Sequence, residues 1–430
     1  MSLEKYFARF ILITFFGVVS CQTGDNKLVH QAGTEPVDIV EFKTKVEVVL
    51  QHDEDDYIWF HPRVAAIPGN KTGSNPSVVM TLQKHLSADD HYSGLKVMRT
   101  DDMGESWTGP IAPPELDWQK GSEKTMLSVC DVTPGWHAPT QKLLAIGAQI
   151  WYDSAGKSIE SMRTLTAYAV HDPKKGTWSK WQGLPIPPLE EYNSVRSACA
   201  QWLVEPDGTL LLPFYIYKKK PNNAPRGPSS IIVARCTFDG DRIKYSEHGN
   251  IISLNVKRGL AEPSLIKFGS KYFLTIRNDL KGYVSKSDDG LNFQPIKEWK
   301  FDDGTELGSY NTQQHWLSHS DGLFLIYTRR GAKNDHVQRH RAPLFIAQID
   351  PVELCVIRKT ERILIPEHGV PMGNFGAAAI TENESWVTVS EFMWPAWNEE
   401  ARKSGAAGKT FLARVIWSKP NRMVQDLNNK

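Results

Sequence analysis

Side chains able to bind or transform a polar ligand crowd into one stretch, Gly308–Pro343. It holds Tyr310, Gln313, Gln314, His315, His319, Tyr327, Arg329, Arg330, Asn334, Asp335, His336, Arg339, His340 and Arg341. A loop that only solvates itself draws mainly on Lys and Glu, whereas Arg, His, Tyr and Asn supply directional hydrogen bonds. Guanidinium forks suit a carboxylate, and imidazole and phenol suit proton transfer. The competing reading is a solvated loop with structural salt bridges. The run Gly322–Tyr327 in its middle is short, apolar and β-rich, with an Asp321-Gly322 turn before it. A strand must therefore carry the polar groups at its ends.

Two other polar sets lie upstream. The segment 258–278 reads as strand, Gly-Ser turn and strand, and a hairpin of that length brings Glu262 and Arg277 together at one end. That pair is either functional or a buried structural ion pair. Phe60-His61-Pro62-Arg63 places an imidazole beside a guanidinium, and His137 sits in a Pro134-Gly-Trp-His loop.

The elements that position these groups are short strands. Apolar runs recur from Val37 to the C-terminus, among them 46–50, 77–80, 143–146, 165–170, 210–215, 231–235, 272–276, 323–327, 344–348, 386–390 and 411–416. Gly, Asp and Asn turns separate them, and no long helical periodicity intervenes. Fourteen Trp, 13 Tyr and 17 Phe beside 31 Gly and 26 Pro fit an all-β chain and argue against a helical bundle. With 50 Lys+Arg against 49 Asp+Glu, there is no global field to attract nucleic acid.

Two turns carry a recognisable motif. Thr100-Asp-Asp102-Met-Gly104-Glu-Ser-Trp107 fits Ser/Thr-x-Asp-x-Gly-x-Ser/Thr-aromatic, the Asp box. Lys286-Ser-Asp288-Asp-Gly290-Leu-Asn-Phe293 keeps Asp, Gly and aromatic at that spacing with Asp288 as the carboxylate, and Asp172–Trp178 reads as a decayed copy. In each, the Asp caps backbone amides, Gly supplies positive φ and the aromatic ring packs back on the hairpin.

On these motifs the chain resembles the sialidase-like β-propeller superfamily over residues 45–418. The resemblance implies an all-β, six-bladed propeller of about 60 residues per blade, with seven blades as the alternative. It further implies an arginine clamp for a substrate carboxylate, with Arg63 as the first arginine and Arg277 as the second. The third comes from Arg329, Arg330, Arg339 and Arg341, of which Arg330 and Arg341 are favoured. Glu262, in Glu-Pro-Ser, is then the carboxylate that polarises a nucleophilic Tyr, and Tyr310 is the available phenol although it precedes the last arginine. Asp89 and Asp90 are the nearest acid/base candidates. His61, His137, Asn334, Arg339 and His340 complete the expected binding set. His315 and His336 are the catalytic alternatives, because propeller-fold polysaccharide lyases use His near Tyr and Arg.

The N-terminus reads as an export signal. Lys5 and Arg9 precede the apolar run Phe10–Val19, and Val18-Val19-Ser20-Cys21 resembles a lipobox with Cys21 as the lipidated residue. The expected organisation is a signal over 1–21, a tether over 22–44, the propeller over 45–418 and a polar tail over 419–430. The protein is then an exported, lipid-anchored monomer of the outer membrane or cell surface, needing no cofactor and no metal. Cys130, Cys199, Cys236 and Cys355 show no CxxC and no metal-ligand spacing. Cys199, Cys236 and Cys355 sit in apolar runs and are expected as buried free thiols, with a disulfide in one of three pairings as the alternative for an exported protein. Three functions remain open: an exo-acting glycoside hydrolase on a terminal sialic acid or uronate, a lyase on uronate-containing or sulfated polysaccharide, and a glycan-binding lipoprotein without turnover.

Overall fold

In a computed structural model, the described residues are 37–424 apart from 70–73, 88, 89, 123, 219–226 and 394–397. The export signal, Cys21 and Asp89 lie outside them. The chain is all-β, and its sheets take a propeller-like arrangement. Three sheets have four strands, one has five and one has eleven. The eleven-stranded sheet consists of two antiparallel meanders, joined where Ser194–Arg196 runs parallel to Thr164–Asp172.

The strand runs legible in the sequence are the middle strands of these sheets. They are apolar at consecutive positions because both faces are covered, and alternate side chains enter different cores. Val78 packs with Trp386 and Leu412, whereas Val79 packs with Val97, Leu143 and Ala145. Phe273 faces Leu323 and Leu325, and its neighbour Leu274 faces Val233 and Leu211. Phe324 continues the series toward Val387 and Ala413. The cores thus lie between successive sheets.

Closure comes from the first strand. Phe42–Gln51 adds to Lys409–Trp417 antiparallel, with Phe42 opposite Trp417. Val40 and Phe42 belong to the core beside Phe324 and Trp417, so the fold begins ahead of the expected residue 45. At the other end the expected polar tail is partly docked. Asn421 is buried, donating to Ser318 O and accepting from the Ser320 amide, and Lys419 O meets His319 Nε2 at 3.0 Å.

The turns follow the expected chemistry with one correction. Thr100 Oγ1 donates to Asp102 and accepts from the Gly104 amide, and Asp102 accepts from the amide and hydroxyl of Ser106. In the second turn the carboxylate that does this is Asp289, not Asp288. Asp289 accepts from the amides of Leu291 and Asn292, and Ser287 takes the role of Thr100. This turn is one residue shorter, so the side chain pointing inward shifts by one. Asp288 is left exposed on a surface ion pair with Lys271. Trp107 packs near Trp386, and Phe293 is buried beside Leu291 and Tyr272.

Candidate active site

Six non-glycine residues with positive φ stand in or just ahead of the innermost strands: His61 (54°), Asp131 (57°), Cys199 (51°), Glu262 (45°), Asn311 (57°) and Asn374 (63°). Left-handed backbone costs about 1–2 kcal/mol per such residue, and strain of this kind concentrates at functional sites. Three of the six sit in register shifts, between Phe60 and Arg63, Cys130 and Thr133, and Ala261 and Ser264. A fourth, Cys199, interrupts Ser194–Arg196 and Leu203–Val204, which pair with the same strand. Each bulge re-aims one polar side chain.

The six fall into two bonded groups, His61–Asp131–Cys199–Asn374 and Glu262–Asn311, with three arginines beside them. Asp131 Oδ1 lies 2.7 Å from His61 Nε2 and 2.9 Å from Cys199 Sγ, and the Cys199 amide donates to Asp131 O. Cys199 Sγ lies 3.8 Å from Asn374 Oδ1. Arg277 donates to Glu262 Oε1 and, at 3.1 Å, to Asn311 Oδ1. Arg341 donates to Asn311 O, and Arg63 donates to Val132 O at 3.3 Å. Gly376 is required here, because a Cβ would lie 2.7 Å from the Arg63 side chain.

Arg277 pairs with Glu262 and Asp131 with His61, but the pairing leaves several buried polar atoms over. Arg63 Nε and Nη2, Arg341 Nε and Glu262 Oε2 are buried without a protein partner. Burial, together with Arg277 and Arg339, pulls the Arg341 guanidinium down to about 10. Burial acts against the charge on Arg277 too, but Glu262 and Asp279 outweigh it and raise its pKa. Asp131 is held below the usual carboxylate range despite burial, because His61 and Arg63 face it. A cluster of this kind offers an anionic ligand forked, desolvated donors.

Of the expected residues, the structure brings Arg63, His61, Glu262, Arg277 and Arg341 together. Tyr310 and His340 form their own pair, with the phenol 2.5 Å from Nδ1 and Asp335 3.1 Å from Nε2. This pair adjoins Asn311 along the chain, but the hydrogen bonds of Tyr310 do not lead to Glu262. Arg339 is exposed and reaches Arg341 only electrostatically.

Others are elsewhere. Arg330 lies in the bend that follows Gly322–Tyr327, over the Tyr310 ring, and its guanidinium is held at the surface by Glu306 and Leu280 O. Arg329 forms a fork with Glu361. Asn334 ties its own loop, donating to Arg329 O and Ala342 O. His336 is exposed beside Glu367. His137 bridges Gly208 O and Thr140, closing a turn. His315 is buried between Ser264 Oγ and the Phe375 ring, and burial and Arg63 push its pKa well down, so it stays neutral. Asp90 is exposed and accepts from Tyr92. Cys199 belongs to the polar cluster rather than an apolar strand, and Cys355 is only half-buried.

Sequence reasoning missed Asp131, Cys199, Asn311 and Asn374. The available signal was a polar residue breaking a β run, as Asp131 does between Cys130 and Val132.

No protein-family model matches the chain, and no curated protein matches it in sequence. Solved structures do match in fold. A protein of unknown function from Dyadobacter fermentans DSM 18053 superposes with a TM-score of 0.57 at 13% identity, over 86% of this chain and 99% of that one. The Hadza microbial sialidase Hz136 gives 0.57 at 14%, over 86% and 68%. A mutant Trypanosoma rangeli sialidase displaying trans-sialidase activity gives 0.53 at 12%, over 90% of this chain and 60% of that chain. This chain has a sialidase-like fold, and spans about three-fifths of the trypanosomal protein.

Proposed function

We propose that the protein is a six-bladed propeller of the Asp-box type, the eleven-stranded sheet supplying two blades, and that it is an exo-acting glycoside hydrolase. It takes a terminal anionic sugar, sialic acid or a uronate, at the cluster of Arg63, Arg277 and Arg341. The observation that carries this reading is the set of buried guanidinium nitrogens without protein partners, which an anionic ligand would satisfy. Glu262 stands among them as the carboxylate closest to the bound sugar, holding Arg277 in orientation. The sialidase-like fold of the structural neighbours supports the substrate class.

A lyase reading is favoured by one contact, the 2.5 Å approach of Tyr310 to His340. His340 would accept the phenol proton, and the phenolate would take the proton next to the sugar carboxylate. The electron pair left behind forms the carbon–carbon double bond as the bond to the glycosidic oxygen breaks, and that oxygen leaves as a hydroxyl on the proton that His340 gives back through solvent. Incubating purified protein with sialosides, uronides and sulfated glycans separates the readings. New reducing ends without unsaturated product support hydrolysis, and absorbance from an unsaturated product supports elimination. Absence of both binding and turnover on every anionic glycan overturns the proposal.

A further inference from the structure

His61, Asp131 and Cys199 form a three-donor set of a different kind from the arginine cluster. The ligand-capable atoms Nε2, Oδ1 and Sγ all lie within 4.8 Å of one another. His61 and Asp131 come from two strands and Cys199 from the break between Ser194–Arg196 and Leu203–Val204, and each sits on strained, positive-φ backbone. Asp131 is central, with its Oδ1 2.7 Å from the imidazole and 2.9 Å from the thiol. His61 is 2% exposed, and neither of its ring nitrogens completes a hydrogen bond of good geometry. His137, by contrast, uses both ring nitrogens, on Gly208 O and Thr140.

We propose that His61, Asp131 and Cys199 bind a divalent cation of the zinc type. Imidazole, carboxylate and thiolate are the donors that borderline-soft Zn²⁺ selects, and three protein ligands leave a fourth position open. Asn374 Oδ1, 3.8 Å from Cys199 Sγ, borders that position. The charge balance is workable beside Arg63. As ligands the imidazole is neutral, while the carboxylate and the thiolate carry two negative charges. Binding Zn²⁺ forms the metal–sulfur bond and releases the thiol proton to solvent, so the occupied set is neutral. Burial, then the Asp131 charge, hold the free thiol protonated, and a bound cation reverses that preference. Such an ion stands against the arginine cluster, since Arg63 faces Asp131 and Cys199 faces Glu262 electrostatically. The spacing of the cysteines along the chain gave no sign of it because the ligands are about 70 residues apart, one per bulge.

The test needs no glycan, so it stands or falls apart from the hydrolase reading. Chelator-treated full-length protein is titrated with Zn²⁺ by calorimetry in two buffers of different ionisation enthalpy, and with Co²⁺ by absorption. Expected are one Zn²⁺ per chain, release of at least about one proton, that of the thiol, and a thiolate-to-Co²⁺ charge-transfer band. Cys199→Ser and His61→Gln should each weaken Zn²⁺ binding at least about tenfold. Cys355→Ser should leave it unchanged, since that half-buried thiol pairs across its ladder with Asp350 and touches none of the three donors. A wild-type protein without the Co²⁺ charge-transfer band overturns the proposal even if the variants misfold. So does Zn²⁺ binding that survives in Cys199→Ser and His61→Gln, which would place the ion at half-buried His52 with exposed Glu54 and Asp56.

Discussion

Glu262 owes its position to a bulge. With φ at 45° it leaves the ladder between Ala261 and Ser264, and its carboxylate turns to the Arg277 fork. Glu262→Gln keeps the shape and removes the charge, so Arg277 loses the partner that orients it. In the hydrolase reading kcat should fall about 10²-fold or more. Arg277→Lys keeps the charge but loses the fork, and should weaken both binding and turnover. Circular dichroism must accompany the assay, because breaking one side of a buried ion pair costs roughly 3–5 kcal/mol. A folded Glu262→Gln variant with full activity would move the catalytic role to Tyr310 and His340. At this scale the sequence displayed Glu262 and Arg277 through their hairpin pattern and Arg63 through its place in the chain, but left Arg341 among four arginines and favoured Arg330 equally. It did not display Asp131, Cys199, Asn311 or Asn374. What selects them is left-handed backbone in a bulge, and a single polar residue in a β run carries no periodic signature of that.

Among the elements, the middle strands were the most legible because burial on both faces makes them continuous apolar runs. The first inner strand, Ile58–Ile67, was obscured by His61-Pro62, the point where its ladder shifts register. The turn at 287–293 shows how a one-residue difference redirects a motif. Asp289 gathers the Leu291 and Asn292 amides, whereas Asp288 has only Lys271 in solvent. Losing those amide contacts resembles losing a helix cap, so Asp289→Ala should destabilise by about 1 kcal/mol. Asp288→Ala should stay within about 0.5 kcal/mol of the parent, as exposed ion pairs contribute little. Urea unfolding of the two variants decides between them, and a larger loss for Asp288→Ala would restore the spacing read from sequence.

Across the whole molecule, the propeller buries histidines as neutral residues, and this sets its response to acid. Burial pushes His85 down to about 3, helped by the neighbouring His61, and burial with Arg63 pushes His315 well below its ordinary value. Unfolded histidines titrate near 6.5. Above that pH neither state binds the proton and these residues leave stability unchanged. As pH falls below about 6.5, the unfolded chain takes up protons that the folded chain refuses, so stability is lost on the acid side. Each such histidine contributes a slope of about 1.4 kcal/mol per pH unit, continuing for His85 until pH approaches its folded value. Urea midpoints should therefore be level between pH 7 and 8 and fall steadily from about 6.5 to 4.5, ahead of the carboxylates, which titrate near 4. His85→Gln, if it folds, should flatten part of that slope while His336→Gln, on an exposed side chain, should not. A midpoint independent of pH over that interval would mean that the buried imidazoles open to water before the sheets separate.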